Sequence, residues 1–209
     1  MKRFALTFVV MITFFQCYSQ TKAVTDKGRE VVLYEDGTYK YTDEKTSWET
    51  RLDTVICKRP ASSTFLLKGN KTPYGVYTNP KKWHFKKADE AEDHAYEYFF
   101  TLIGEDAYGE LITEGTYIPI NEIKEIAYEN AIKKSPDLKK IKEDVRNING
   151  TIVHCMQMEG TISGMKIVLL GYYYSSEKMT IQFLSWSAKN QFSKYQSELE
   201  NLLNGFVAF

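Results

Sequence analysis

The chain runs to 209 residues, in which 27 basic and 27 acidic side chains balance. That length is ample for one ordinary domain with a sizeable core and a small attachment. The local basic clusters, Lys81-Lys82 with Lys86-Lys87 and Lys139-Lys140 with Lys142, each adjoin acidic residues, so there is no dense basic patch to predict a nucleic-acid partner.

Lys2 and Arg3 precede an almost wholly apolar run, Phe4 to Phe15, interrupted only by Thr7 and Thr13. A cationic start and a short apolar run are the pattern of a secretory signal peptide. At helical rise the run covers about two-thirds of a roughly 30 Å hydrocarbon core, too little for a membrane span. Polar residues follow, Gln16-Cys17-Tyr18-Ser19-Gln20, and the small Ser19 places cleavage near residue 20. Residues 1–20 are therefore expected to be removed. Loss of Lys2 and Arg3 would leave the remainder two charges negative, with no transmembrane anchor and a periplasmic or extracellular location. Cys17 lacks the small preceding residues of a lipidation site, since Phe14-Phe15-Gln16 comes before it.

Turn signals at Asp26-Lys27-Gly28 and Glu35-Asp36-Gly37 bracket Val31 to Leu33, and Thr38 to Tyr41 follows the second. An Asp-Gly turn between two short β-branched or aromatic runs predicts a β-hairpin, within an N-terminal unit spanning 21–44. Residues 45–59 begin polar and charged and are read as a linker in which Trp48 is the anchoring candidate; strand-like Asp53 to Pro60 opens the main domain, assigned to 60–209.

Strand-like runs are then expected at Gly75–Thr78, Trp83–Lys86, Ala95–Ile103, Tyr108–Thr113, Leu138–Ile148, Thr151–Met158, Met165–Tyr174 and Met179–Trp186, separated by Gly, Asn, Pro and Ser turn chemistry. Short turns between the last four predict an antiparallel meander. Ile167-Val168-Leu169-Leu170 is apolar at every position, so its strand should be central and covered on both faces. Two helices can supply that cover. One lies between Pro119 and Ser135, with Ile120, Ile123, Ala127 and Ala131 at helical spacing. The other runs from about Ser187 to Asn204, with Ser187 as N-cap, an apolar stripe of Phe192, Tyr195, Leu199, Leu202 and Phe206, and Gly205 as the terminal cap glycine.

The chemistry-bearing residues are few. His84, His94 and His154 are the only histidines, and none has zinc-ligand spacing. Asp89-Glu90-Ala91-Glu92-Asp93-His94 clusters oxygen ligands, but without an EF-hand register, and reads as a solvated loop. His154 adjoins Cys155, yet adjacent strand residues point to opposite faces, which argues against a thiol nucleophile with its base. No nucleophile elbow, phosphate loop or dinucleotide fingerprint occurs, and no cofactor is expected. Cys57 and Cys155 form a possible disulfide in an oxidising compartment, with two buried free thiols as the alternative. Tyr96, Tyr98, Phe99, Phe100, Tyr172 to Tyr174, Trp83 and Trp186 either fill the interface of sheet and helix or form a ligand platform. Asn149-Gly150-Thr151 matches a glycosylation sequon but is better read as a type I′ turn.

The order of elements carries a resemblance. Trp83 on an early extended segment, an aromatic strand, Leu111 to Lys134 as strand into helix, a four-strand meander with Ile148-Asn149-Gly150-Thr151 at its first turn, and a closing helix ending Leu202-Leu203-Asn204-Gly205-Phe206 resemble the PsbP-like family of small exported proteins. The resemblance covers about residues 60–209 and implies an α+β fold, an antiparallel β-sheet flanked by two helices as an α/β/α sandwich. The N-terminal hairpin resembles a unit at the mature N-termini of exported bacterial proteins. The function this implies is an exported, non-catalytic accessory or binding protein of the bacterial cell envelope, its partner an envelope protein or a small apolar ligand. A carrier with an apolar pocket between sheet and helix, and a hydrolase, are the alternatives.

Overall fold

The computed structural model describes residues 21–25, 30–34, 38–41, 54–70, 72–88 and 96–209. The expected signal segment, Trp48 and His94 lie outside them. The chain divides into two compact units, Met1–Arg51 and Leu52–Phe209.

In the first unit, β1 (Thr21–Val24), β2 (Glu30–Leu33) and β3 (Tyr39–Tyr41) form one antiparallel sheet in that order. The expected hairpin is β2–β3, with Leu33 opposite Tyr39. The sheet gains a third strand because Thr21 to Val24 pairs along the other side of β2, with Ala23 opposite Val31.

The second unit contains β4 (Val55–Cys57), β5 (Phe65–Lys68), β6 (Tyr74–Thr78), β7 (Trp83–Lys87), β8 (Tyr98–Leu102), β9 (Ala107–Glu114), α1 (Ile120–Lys134), β10 (Lys139–Ile148), β11 (Thr151–Ile162), β12 (Met165–Ser176), β13 (Met179–Ala188), α2 (Phe192–Leu203) and β14 (Phe206–Ala208). Eight strands make the large sheet, ordered β4-β10-β11-β12-β13-β9-β8-β7, and β14-β6-β5 make a smaller one.

The expectation of an antiparallel sheet needs correction, because the large sheet is mixed. β4 pairs parallel to β10, with Arg146 opposite Val55 and Ile148 opposite Cys57. A parallel neighbour requires a long crossover, and here everything from β5 to α1 lies between the two strands. β4 also places the end of the expected linker, residues 45–59, inside the large sheet.

The meander β10 to β13 forms as its turn chemistry dictates. Asn149 and Gly150 have φ of 52° and 91°, and Ser163 and Gly164 have φ of 50° and 80°, so both turns have the two positive φ values of type I′. β12 is central and covered on both faces. Leu170 and Tyr172 join the core that contains Tyr195, Leu199, Leu202 and Leu203 of α2, together with Val76 and Phe206 of the small sheet. Leu169 and Tyr173 point the other way, to Ile123 of α1 and to Met156 and Met158. The layers are thus α1, the large sheet, then α2 with the small sheet.

The ends of the second helix differ from expectation. Ser187 is still in β13, opposite Val168, and a 3₁₀ turn, Lys189–Gln191, leads into α2. Phe206 belongs to β14 rather than to the helix stripe, and packs between Tyr74, stacked at 6.3 Å, and Tyr174, tilted at 5.6 Å.

Candidate functional site

α1 lies over β11 and β12, so the same face of the sheet continues past it across β13, β9 and β8. There the period-two alternation puts Phe183, Leu111 and Phe100 in the α2-side core and leaves Trp186, Tyr108 and Phe99 half-buried on the α1 side. Trp186 and Tyr108 are direct cross-strand partners. Their rings lie 5.9 Å apart at 30°, and Phe99 is 6.2 Å from Tyr108 and 6.0 Å from Trp186. Tyr96 adjoins the cluster, 5.6 Å from Phe99.

Tyr108 and Trp186 also line a cavity of about 900 Å³ at the end of the sheet, where the β11–β12 turn and the connection into α2 meet. Met165, Ile167 and Ala188 add apolar wall, and Asp106, Lys189 and Asn190 supply a polar rim. The volume falls in the range of small-molecule sites. The Tyr108 hydroxyl donates to Asp106 Oδ1 at 3.3 Å. Burial, and then the Asp106 carboxylate, push the Tyr108 hydroxyl pKa up. Next along β9, Glu110 faces Phe99 and Leu184 across the strands, and burial raises its carboxyl pKa against the pull of Lys134. Lys189 is paired with Glu159.

The expected aromatic set therefore divides. Trp83, Tyr98, Phe100 and Tyr172 are core, Tyr173 is core under α1, and Tyr174 packs against the α2-side core. Tyr96, Phe99 and Trp186 form the platform. Tyr108 is the member that sequence reasoning did not single out, although its alternation with Ala107 and Gly109 was there to read. The α2 side of the sheet is filled by the helix side chains, so the cavity lies at the end of the sheet and not between sheet and helix.

The other candidates sit elsewhere. Cys57 and Cys155 are free thiols, and β10 lies between their strands. Cys57 stands level with Ile148 and Cys155 level with Asp144. Burial pushes the Cys155 thiol up to about 12, with Arg146 opposing. His154 and Cys155 point to opposite faces, His154 with the α1 side, and burial lowers the imidazole to about 4 with help from Lys124 against Glu143. His84 is exposed on β7, opposite Thr101. The acidic run 89–94 lies outside the described residues, and among the described residues no group of three or more His, Cys, Asp or Glu could hold a metal ion. Among them, too, no helix is long and apolar enough to cross a membrane.

Beside Cys155 on the α2 side, Arg146 is buried in a satisfied network. Its Nε donates to Asp144 Oδ1 at 2.9 Å and its Nη1 to the Tyr172 hydroxyl at 2.7 Å, while Tyr172 donates to Asn204 Oδ1 at 3.0 Å. Asn149, at the β10–β11 turn, donates to the carbonyls of Asn204 and Phe206 at 2.9 and 3.1 Å. Through Tyr172 and Asn149 this cluster ties β12 and the β10–β11 turn to the end of α2.

No family model matches the sequence, and no curated protein matches it. Among solved structures, the cyanobacterial PsbP protein CyanoP from Synechocystis sp. PCC 6803 matches with a TM-score of 0.52 at 13% identity, over 72% of this chain and 95% of that one. A Pseudomonas aeruginosa protein of unknown function matches at 0.45 and 11% identity, over 69% and 96% of the two chains. LpqN of Mycobacterium tuberculosis, involved in cell envelope biogenesis, matches at 0.36 and 13%, over 71% and 79%. At these identities the likeness shows the fold, and it is carried by CyanoP: the chain has the PsbP-like fold.

Proposed function

We propose that this chain is an exported, non-catalytic binding protein of the bacterial cell envelope, and that it holds its ligand in the groove at Tyr108 and Trp186. The observation that carries the reading is the cross-strand aromatic pair, half-buried on the stretch of sheet beyond α1, where it lines a cavity of small-molecule size. Export rests on Lys2, Arg3 and the apolar run that follows them. The non-catalytic reading is supported by the state of the one thiol that has a neighbouring base in sequence. Cys155 is buried, its thiol is held protonated, and His154 lies on the other face.

A thermal-shift screen of the mature protein against soluble sugars, amino acids and amphiphiles tests the site. At least one class is expected to raise Tm, with the rise abolished in Trp186→Leu; shifts that survive both Trp186→Leu and Tyr108→Ala would place the ligand elsewhere. Intact mass of the exported protein tests the compartment, with an N-terminus near Thr21 expected and retention of Met1 to Phe15 contradicting it.

A further inference from the structure

We infer that the ligand class of this groove is a neutral oligosaccharide, an inference that rests on the groove being the ligand site. A pyranose ring has an apolar C–H face and a rim of hydroxyls that both donate and accept. It is recognised by an aromatic ring for the first and by mixed polar side chains for the second.

The groove supplies both. The stacked rings of Tyr108 and Trp186, 5.9 Å apart at 30°, line the cavity as an aromatic surface, and Phe99 closes a three-ring cluster with them at 6.2 and 6.0 Å. The cavity's volume of about 900 Å³ accommodates more than one sugar. At its mouth Asp106 offers acceptors, Lys166 donors, and Asn190 and Gln191 both, all on exposed positions.

Charge selects against the competing classes. Lys189 is already paired with Glu159, and Lys166 shares the rim with Asp106, so no uncompensated basic stripe is present to hold a polyanion. A purely apolar guest would find an open trough with a polar rim in place of an enclosed pocket. A neutral polyhydroxyl chain satisfies the rings and the rim together.

Calorimetric titration of the mature protein with chitotetraose, cellotetraose and maltotetraose tests this. At least one is expected to bind with Kd of about micromolar to millimolar. Trp186→Leu, which keeps an apolar side chain and removes the ring, is expected to weaken it about tenfold or more. Asn190→Ala, at an exposed rim position, is expected to weaken it a few-fold without changing Tm, and keeps the test open should the Trp186 variant unfold. No saccharide binding up to about 10 mM, alongside Trp186-dependent binding of another class, overturns the inference and leaves the groove as the site. Saccharide binding untouched by Trp186→Leu, Tyr108→Ala and Asn190→Ala also overturns it. If no ligand of any class depends on Trp186 or Tyr108, the inference and the reading beneath it fall together.

Discussion

Gly205 lies directly against the backbone of Tyr77. The Tyr77 N–H donates to the Gly205 carbonyl at 2.8 Å, and a Cβ at position 205 would sit 2.0 Å from the Tyr77 carbonyl oxygen. The glycine after α2 is therefore required by close approach between the helix end and β6, and it is not among the residues with positive φ. Gly205→Ala is expected to cost about 2–3 kcal/mol by forcing the two segments apart. Chemical denaturation would measure it; a loss below about 0.5 kcal/mol would mean that the contact relaxes freely.

Legibility in the sequence divided along a physical line. Features fixed by local chemistry could be read. Asn149-Gly150 and the Gly164 turn set the meander, the unbroken apolarity of Ile167 to Leu170 marked a strand covered on both faces, and the stripe Tyr195, Leu199, Leu202 marked α2. Features fixed by distant pairing could not. Val55 and Ile56 of β4 are 48% and 75% exposed, so no hydrophobic pattern announced that this short edge strand would run parallel to β10. Phe206 continued the helical spacing of α2 and looked like part of it until β6 claimed it as a strand partner. The candidate site was half legible. Phe99 and Trp186 were singled out as aromatics, but their exposure follows from α1 packing chiefly on β11 and β12, which spacing along the chain does not reveal.

Arg146 and Asp144 form an interior ion pair at side-chain exposures of 10% and 14%. Burial would raise the Asp144 carboxyl, but Arg146 and Lys142 hold it below the ordinary carboxylate value. Asp144→Ala leaves a buried guanidinium with Tyr172 and the more distant Glu200, and is expected to cost about 3 kcal/mol. Asp144→Ala combined with Arg146→Met should recover part of that loss. A double variant no better than the single one would show that the charge itself is not the cause.

His154 stays neutral in the folded protein down to about pH 4, whereas the unfolded chain takes up a proton near 6.5. As pH falls through that window the unfolded state binds the extra proton, so stability present above pH 6.5 is lost toward pH 4, by roughly 3 kcal/mol in total. Lys124 on α1 and Glu143 on β10 act on the same imidazole. Carboxylates with lowered pKa values, Glu143, Asp144 and Asp137, lose stability at lower pH still. Comparing wild type with His154→Gln isolates the histidine: the difference in unfolding free energy should change between pH 7 and pH 4.5, and parallel curves would contradict the assignment.

The second unit is expected to fold without the first. The second unit has its own core, in which residues of the large sheet, the small sheet and both helices pack together. Deletion of residues 21–51 should leave a single cooperative thermal transition with most of its calorimetric enthalpy. Collapse to a non-cooperative state would show that the N-terminal sheet is part of the core.

The groove at Tyr108 and Trp186 is reported on directly by the indole N–H resonances of the mature protein. Trp83 is buried in the α2-side core and Trp186 lines the groove, so the two are internal controls for one another. Titration with any ligand that raises Tm is expected to shift the Trp186 indole signal and leave that of Trp83 in place. A ligand that moves Trp83, or that saturates without moving Trp186, would contradict the assignment of the site.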